Sequence, residues 1–158
     1  MEKIKLTKGE LKRQRDALRQ YERYLPTLQL KKQQLQLEIS RQLTLLEERR
    51  RVFLTKRKGA LTWAGLLVEK YIQRSWLIPE RINAGLKNIA GVDIPTFEGA
   101  KFTLIEYDLF AVPPWVDTAL ELLRDMISIE EEIRLIEKGI IILRREQRIT
   151  TQRLNLFE

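Results

Sequence analysis

The sequence predicts a mainly α-helical protein, a long antiparallel two-helix coiled coil formed by its N- and C-terminal helices, with a small middle region containing a short helix and a β-hairpin. Apolar residues recur every seven positions before residue 58 and again after residue 115, while four of the five prolines lie between or at the edge of these stretches. A strict heptad repeat keeps one apolar stripe of a helix against a partner helix. We therefore divide the chain into an N-terminal long helix (1–58), a middle knob (59–114) and a C-terminal long helix (115–158).

The C-terminal helix carries the stronger repeat. Ten of the twelve positions in its two heptad lanes are apolar, and these lanes are Ala119, Met126, Ile133, Ile140, Gln147, Leu154 and Leu122, Ile129, Ile136, Leu143, Thr150, Phe157. A helix of this length extends about 65 Å at 1.5 Å per residue, so it needs a partner of similar length. The polar Gln147 and Thr150 indicate either a packed layer that sets the register or a point where the helices separate.

The N-terminal helix begins at a predicted capping box, Thr7 to Glu10. Six of the seven positions in its first lane are apolar: Leu11, Leu18, Leu25, Lys32, Ile39, Leu46, Phe53. This spacing continues past Pro26, so we expect a kinked helix there and not a break. Basic residues followed by Gly59 predict the end of the helix, with Gly59 as a left-handed cap. Both chain termini are then expected at the far tip of the rod.

The middle region has a different pattern. We predict a short helix over residues 61–75, whereas residues 81–89 fit a helix or a strand equally well. Two β-prone runs, 92–97 and 102–107, flank Glu98-Gly99-Ala100-Lys101 and predict a hairpin around that turn. Pro95 restricts the first run to an edge, and Pro114 and Asp117 suit the first turn of the last helix.

Composition argues against catalysis. The chain has no histidine and no cysteine, which removes the commonest general base, the thiolate nucleophile and the commonest metal ligands. No phosphate-binding glycine loop is present, and the run of carboxylates at 130–132 is typical of a solvated helix face. We therefore expect no enzyme activity, no cofactor and no metal.

Charge is unevenly distributed. Residues 1–58 carry 17 basic and 7 acidic residues, a net of +10, whereas residues 59–158 carry 12 and 15, a net of −3. A basic helix fits either an ordinary solvated face or an acidic partner, and the patch at 49–58 has few of the aromatics that a single-stranded nucleic-acid platform uses. No apolar run approaches about 18 residues, and the charged start has no signal-peptide h-region, so we expect a cytoplasmic protein without a membrane span.

Three segments resemble one family, the D subunit of the bacterial and archaeal V-type ATPase/ATP synthases. They are residues 4–39 with YLPTLQLKK, residues 89–120 with GVDIP followed by PPWVD, and the closing ITTQRLNLFE at 149–158, whose Arg153, Asn155 and Glu158 are similar to the family's ending block. Residues 41–88 match only in helical character. The blocks cover about half the chain and occur in the family's order.

The resemblance implies a non-catalytic central rotor stalk that couples ATP hydrolysis or synthesis to ion translocation by rotation. It implies that the coiled coil stands in the bore of the A and B subunit hexamer, and that the middle region binds the F subunit and seats on the membrane-ring adaptor subunit. It places the complex at the cytoplasmic face of the membrane, with no nucleic acid and no membrane span of its own. On this basis we expect partner interfaces at Arg144, Arg145, Arg148, Arg153, Asn155, Ile94, Phe97, Phe102, Leu104 and Tyr107.

Two alternatives from other classes stay open at this point. A coiled-coil stalk or adaptor of a flagellar or secretion export ATPase would share the rod but would not need the GVDIP and PPWVD blocks. A basic nucleic-acid-binding coiled coil would bind any duplex with a steep dependence on salt.

Overall fold

The computed structural model describes residues 7–62, 65, 71–108 and 110–157. Its elements in chain order are helix α1 (Lys8–Leu61), a 3-10 turn (Arg74–Leu77), strands β1 (Arg81–Ile89) and β2 (Val92–Lys101), and helix α2 (Trp115–Phe157). The two strands pair antiparallel. The predicted fold class, two long helices with a small β-hairpin between them, is confirmed.

Helix α1 begins at the predicted N-cap Thr7, whereas the Glu10 carboxylate pairs with Gln14 and not with the Thr7 amide that the predicted capping box requires. Thr7 has extended backbone geometry and its hydroxyl accepts a hydrogen bond from the amide of Glu10 at 3.3 Å. The Glu10 carboxylate accepts from the side chain of Gln14 at 3.4 Å. The helix runs through Pro26 without ending.

The end of α1 differs from the prediction of a left-handed cap at Gly59. Gly59 remains helical and the helix ends at Leu61, followed by Thr62 in right-handed geometry. The backbone amide of Thr62 donates to the carbonyls of Gly59 and Ala60, and its hydroxyl donates to Gly59. Because these donors satisfy carbonyls that would otherwise lack partners, the helix does not need a glycine in the left-handed region here.

Part of the predicted short helix at 61–75, residues 63, 64 and 66–70, lies outside the described residues. Where the structure describes its end, residues 71–73 are irregular and a 3-10 turn occupies Arg74–Leu77. That part of the prediction was wrong.

The hairpin lies one strand earlier than predicted. Residues 81–89 are its first strand, and the turn is Ala90-Gly91, where both residues have positive φ, 51° and 83°. Two positive φ angles match the right-handed twist of paired strands. The Asn88 side chain closes this turn, since it accepts from the Gly91 amide at 3.2 Å and donates to Asp93 at 3.0 Å.

The segment predicted as the turn lies inside β2. Glu98 is the extra residue of a register shift opposite Asn83 and Ala84, and Gly99 follows with φ 141°. A glycine next to an extra residue is typical of a bulge. Residues 102–107, predicted as the second strand, form no strand.

The two helices pack antiparallel and form a shaft. Most residues of the two core clusters come from the predicted lanes: Leu46, Ile136 and Ile140 form one cluster, and Ile39 and Leu143 belong to a second that also contains Leu35 and Ile94. Thr150 of the predicted polar layer is 1% exposed and its hydroxyl donates to the carbonyl of Glu146 at 2.8 Å. The layer is therefore packed, as the register interpretation expects.

The ends of the shaft are not level. Lys31 lies opposite Glu146, so α1 extends about three turns beyond Phe157, the last described residue of α2. Leu11 and Leu18 are more than half exposed there. The predicted meeting of the two chain termini at this tip falls on residues 1–6 and 158, outside the described residues, while the described ends of the two helices lie at the same end of the shaft with this offset.

The hairpin folds back along the side of the shaft. Its turn and Ile94 pack against Leu35 and Ile39, about 25 residues from the end of α1. The middle region is therefore partly a lateral attachment and not a knob confined to the end of the rod.

Candidate functional site

The surfaces of this protein are better candidates for function than any chemical centre. Among the residues that the structure describes, no group of three or more His, Cys, Asp or Glu side chains is placed to hold a metal ion. No helix in the described part of the chain is long and apolar enough to cross a membrane. The residues that the sequence assigns to partner contacts lie on the hairpin, on the base of the shaft and near the end of α2.

The hairpin is attached to α2 where the side chain of Ile94 closely approaches the backbone of Gly139. Gly139 lies in the middle of that helix, and a Cβ built there would be 3.6 Å from the Cβ of Ile94 and 3.9 Å from Cδ of Pro95. Ile94 is 1% exposed. A helix-interior glycine costs about 0.8–1.0 kcal/mol relative to alanine, and here it lets β2 lie directly on the helix.

A buried carboxylate of the shaft also attaches the hairpin. The side chain of Glu38 is 5% exposed, and its Oε1 lies 3.5 Å from Nζ of Lys87 on β1. Gln42 donates to the same oxygen at 2.9 Å, and Arg41 lies 3.7 Å from the other oxygen. A buried charge requires partners of this kind, so Glu38 couples the position of the hairpin to α1.

Arg124 organises the base of the shaft, where the chain crosses between its two helices. Its Nε donates to the carbonyl of Trp76 and its terminal nitrogen to the carbonyl of Thr103, both at 3.0 Å. Its guanidinium lies 5.1 Å from the centre of the Phe102 ring. The planar, multiply donating guanidinium thereby holds two irregular segments on α2.

The ion pairs between the helices all have the same polarity. In each of the four that join described residues, α1 supplies the cation and α2 the carboxylate: Lys31–Glu146, Arg49–Glu132, Arg50–Glu137 and Lys56–Asp125. The Arg49 Nε lies 3.1 Å from Glu132, but this atom has no aligned hydrogen-bond acceptor, so the contact is a charge contact only. The basic side chains of α1 therefore attract acidic side chains of α2, and the uneven charge distribution of the sequence favours the pairing of the two antiparallel helices.

The five expected interface residues of the middle region occupy different environments. Ile94 is in the core and presents no surface. Phe97 is half-buried beside the shaft, and Phe102 is half-buried under Arg124. Leu104 is 93% exposed, and Tyr107 stacks on Trp76 with ring centres 5.7 Å apart.

The expected interface residues of α2 are exposed side chains near its end. Arg144, Arg145, Arg148, Arg153 and Asn155 are all exposed. None of these four arginines has a carboxylate partner among the residues that the structure describes. They are available for a partner's acidic groups.

Sequence reasoning missed several positioning residues. Gly139 carried a signal, since it is an isolated glycine in an otherwise unbroken 43-residue helix. Glu38 lies three residues after Leu35 and four before Gln42, so helix spacing places its side chain next to both. No sequence pattern indicates the role of Arg124, because its hydrogen-bond acceptors are backbone carbonyls 48 and 21 residues away.

Comparison with known proteins agrees with the resemblance. The family model of the ATP synthase D subunit matches residues 10–158. The chain is 43% identical to the V-type ATP synthase D subunit of Borreliella burgdorferi over 163 residues, which cover 100% of this chain and 78% of that protein. It is 30% identical to the D subunit of Chlamydia abortus and 28% identical to that of Chlamydia pneumoniae, over 98% of this chain and 76% of each relative.

These matches extend through both helices and the hairpin, including residues 41–88, where the sequence resembles the family only in helical character. They give no support to the export-ATPase stalk or to the nucleic-acid-binding coiled coil. An antiparallel two-helix shaft with a lateral hairpin, matched along nearly its whole length, belongs to the family of ATP synthase D subunits.

Proposed function

We propose that this protein is the non-catalytic central rotor shaft of a V-type ATPase or ATP synthase, which couples ATP hydrolysis or synthesis to ion translocation by rotating. The observation that carries the proposal is the family match over residues 10–158 together with the shaft that those residues form. A paired helix of 43 residues transmits torque over about 65 Å. In this role the protein is peripheral to the membrane, on the cytoplasmic side.

The three parts of the chain have different proposed roles. Residues 1–58 and 115–158 supply the shaft, and residues 59–114 supply the attachments. Within the shaft, four cross-helix ion pairs oppose sliding of one helix along the other. This matters for a rotor, because a helix pair that slipped in register would dissipate the applied torque.

The basic surface of α2 is the proposed contact with the hexamer of A and B subunits. Arg144, Arg145, Arg148 and Arg153 are exposed and point to an acidic environment around this part of the shaft. Long-range charge orients a shaft without requiring tight contacts that would resist rotation. Asn155 is also exposed and lies seven residues, about two turns, after Arg148, on the same side of the helix as that arginine.

The lateral hairpin is the proposed platform for the F subunit. Its β1 strand exposes Leu86 to 75% and Ile82 to 36%, and exposed apolar side chains grouped on one element are typical of an interaction surface. Phe97 of β2 lies opposite Ala84 of β1 in the strand register and is half-buried.

The base is the proposed seat on the membrane-ring adaptor. Leu104 is 93% exposed, and Arg124 fixes the backbone of the preceding residue. The stacked Trp76 and Tyr107 reinforce this end. A surface fixed before binding loses less conformational entropy when a partner docks.

The test is reconstitution with the partner subunits of the same organism. The protein, mixed with the F subunit and then with the A and B hexamer, is expected to form a one-to-one complex with the F subunit and a single complex with the hexamer, measured by size-exclusion chromatography with light scattering. Replacing the four arginines with glutamine is expected to weaken hexamer binding and leave binding of the F subunit unchanged. Absence of binding to both folded partners would overturn the proposal.

A further inference from the structure

The hairpin does not lie flush against the shaft along its whole length, and a cleft remains between them. Its walls include Leu45 of α1, Pro95 and Phe97 of β2, and Leu135 of α2, all half-buried, with Ile136 at its floor. Gln42, Lys87, Ile94, Thr96 and Glu132 complete the lining. We call this the hairpin cleft.

The size of the hairpin cleft limits what can occupy it. Its volume is about 240 Å³, below the range of about 300–1,000 Å³ that is usual for small-molecule sites. A single large side chain fits this space better than a cofactor or a nucleotide. Interface anchors are commonly side chains of this size inserted in a partner's pocket.

The charges of the hairpin cleft select the chemistry of that side chain. Lys87 is paired with Glu38 at 3.5 Å, and Glu132 lies 3.1 Å from Arg49. The one basic and one acidic group in the lining are therefore both neutralised by groups of the same chain. A charged side chain entering the cleft would lose water without gaining an ionic partner, whereas an apolar one would cover four half-buried apolar walls.

We propose that the hairpin cleft receives an apolar anchor, a leucine, methionine or phenylalanine side chain, from the protein that docks on the hairpin. This rests on the proposed function, in which that partner is the F subunit. The cleft opens beside β2, and the exposed Leu86 lies opposite Pro95 in the strand register. One partner can therefore cover the apolar face of the hairpin and fill the cleft in the same contact.

The first experiment measures affinity for the F subunit of the same organism by isothermal titration calorimetry. Leu135→Trp places a larger side chain in the wall of the cleft, and Ile141→Trp makes a comparable change on α2 at a residue that is 65% exposed outside it. The expected result is a loss of affinity of about tenfold or more for Leu135→Trp, and no measurable loss for Ile141→Trp. Helicity and melting temperature of each variant verify that the shaft is intact.

A second measurement does not depend on a bulky substitution. A photo-crosslinking phenylalanine analogue in place of Phe97 is expected to form a bond to an apolar residue of the F subunit, identified by mass spectrometry. The same analogue at Ile141 serves as the control and is expected to form none. A crosslink at Phe97 to a charged segment of the F subunit would overturn the apolar anchor, as would no crosslink at all in a complex that forms.

The outcomes separate the inference from the proposed function. If the unmodified protein fails to bind the F subunit, the proposed function is wrong at this partner. If it binds, and Leu135→Trp binds equally well, the cleft is not an anchor site and the proposed function stands.

Discussion

Lys87 of β1 lies 3.5 Å from Glu38 of α1, and Glu38 is almost fully buried although it is charged. This pair joins β1 to α1. The other strand, β2, packs directly on α2 at Gly139. The hairpin is therefore held by apolar contacts to both helices and by a charge contact to α1.

The first prediction concerns Glu38. Glu38→Ala is expected to lower the free energy of unfolding by about 1–3 kcal/mol, because it removes the acceptor of Gln42 and the partner of Lys87 together. Lys87→Ala is expected to cost less, since Gln42 and Arg41 remain to satisfy the carboxylate. Urea unfolding followed by circular dichroism measures both, with Lys138→Ala on the exposed face of α2 as the control. A larger loss for Lys87→Ala than for Glu38→Ala would contradict this account.

The second prediction concerns the helix-interior glycines. Gly139→Ala is expected to be neutral or to stabilise by up to about 1 kcal/mol, because its methyl group would meet Ile94 at an ordinary contact distance while helix propensity improves. Gly139→Leu is expected to destabilise by about 1–3 kcal/mol by pushing β2 away from α2. Thermal unfolding measures the effect.

The control for these variants is Gly59, which is also helical but has no atom within 4 Å of the position that an added methyl group would take. Gly59→Ala and Gly59→Leu are both expected to stabilise slightly. Equal behaviour of leucine at the two positions would show that Gly139 has no role in seating the hairpin.

The third prediction concerns Arg124. Arg124→Lys keeps the charge but cannot donate to Trp76 and Thr103 together in the same fixed geometry. We expect faster hydrogen exchange and faster proteolysis in residues 74–77 and 102–107, with the shaft unaffected. Arg134→Lys, at an exposed arginine that pairs with Glu130 and Glu131 of its own helix, is the control. Unchanged exchange at the base would contradict the proposed role of Arg124.

The fourth prediction compares two cross-helix ion pairs. Lys31 and Glu146 are 2.6 Å apart with side chains 25% exposed, whereas Lys56 and Asp125 are 3.4 Å apart with side chains 33% and 54% exposed. A double-mutant cycle with alanine is expected to give a coupling of about 1 kcal/mol for the first pair and a smaller, salt-sensitive value for the second. The reverse order would mean that separation and exposure do not govern these contacts.

The repeats predicted the shaft well because its packing follows directly from the sequence period. Ile136, Ile140 and Leu143 are buried as their heptad positions require. The hairpin was harder to locate. Both Ala90-Gly91 and Glu98-Gly99 offered a glycine between β-prone runs, and only the structure shows that the first is the turn and the second a bulge.

The partner surfaces could be predicted only in part. The arginines of α2 are exposed, as a helical charge pattern implies, whereas Ile94 is buried because β2 lies on Gly139. That contact joins residues 45 positions apart in the sequence, and no local pattern specifies it. The same holds for Arg124, whose acceptors are backbone groups that any sequence would provide.

The lateral position of the hairpin has a mechanical consequence. A force applied at the end of a rod along its axis produces no turning moment, but a force on an attachment beside the rod acts through a lever arm. Here that arm is about 10 Å, the usual spacing between packed elements. A partner held on the hairpin therefore turns with the shaft. Any force that resists the movement of that partner twists the shaft at the level of Leu35 and Leu143, where the hairpin is attached.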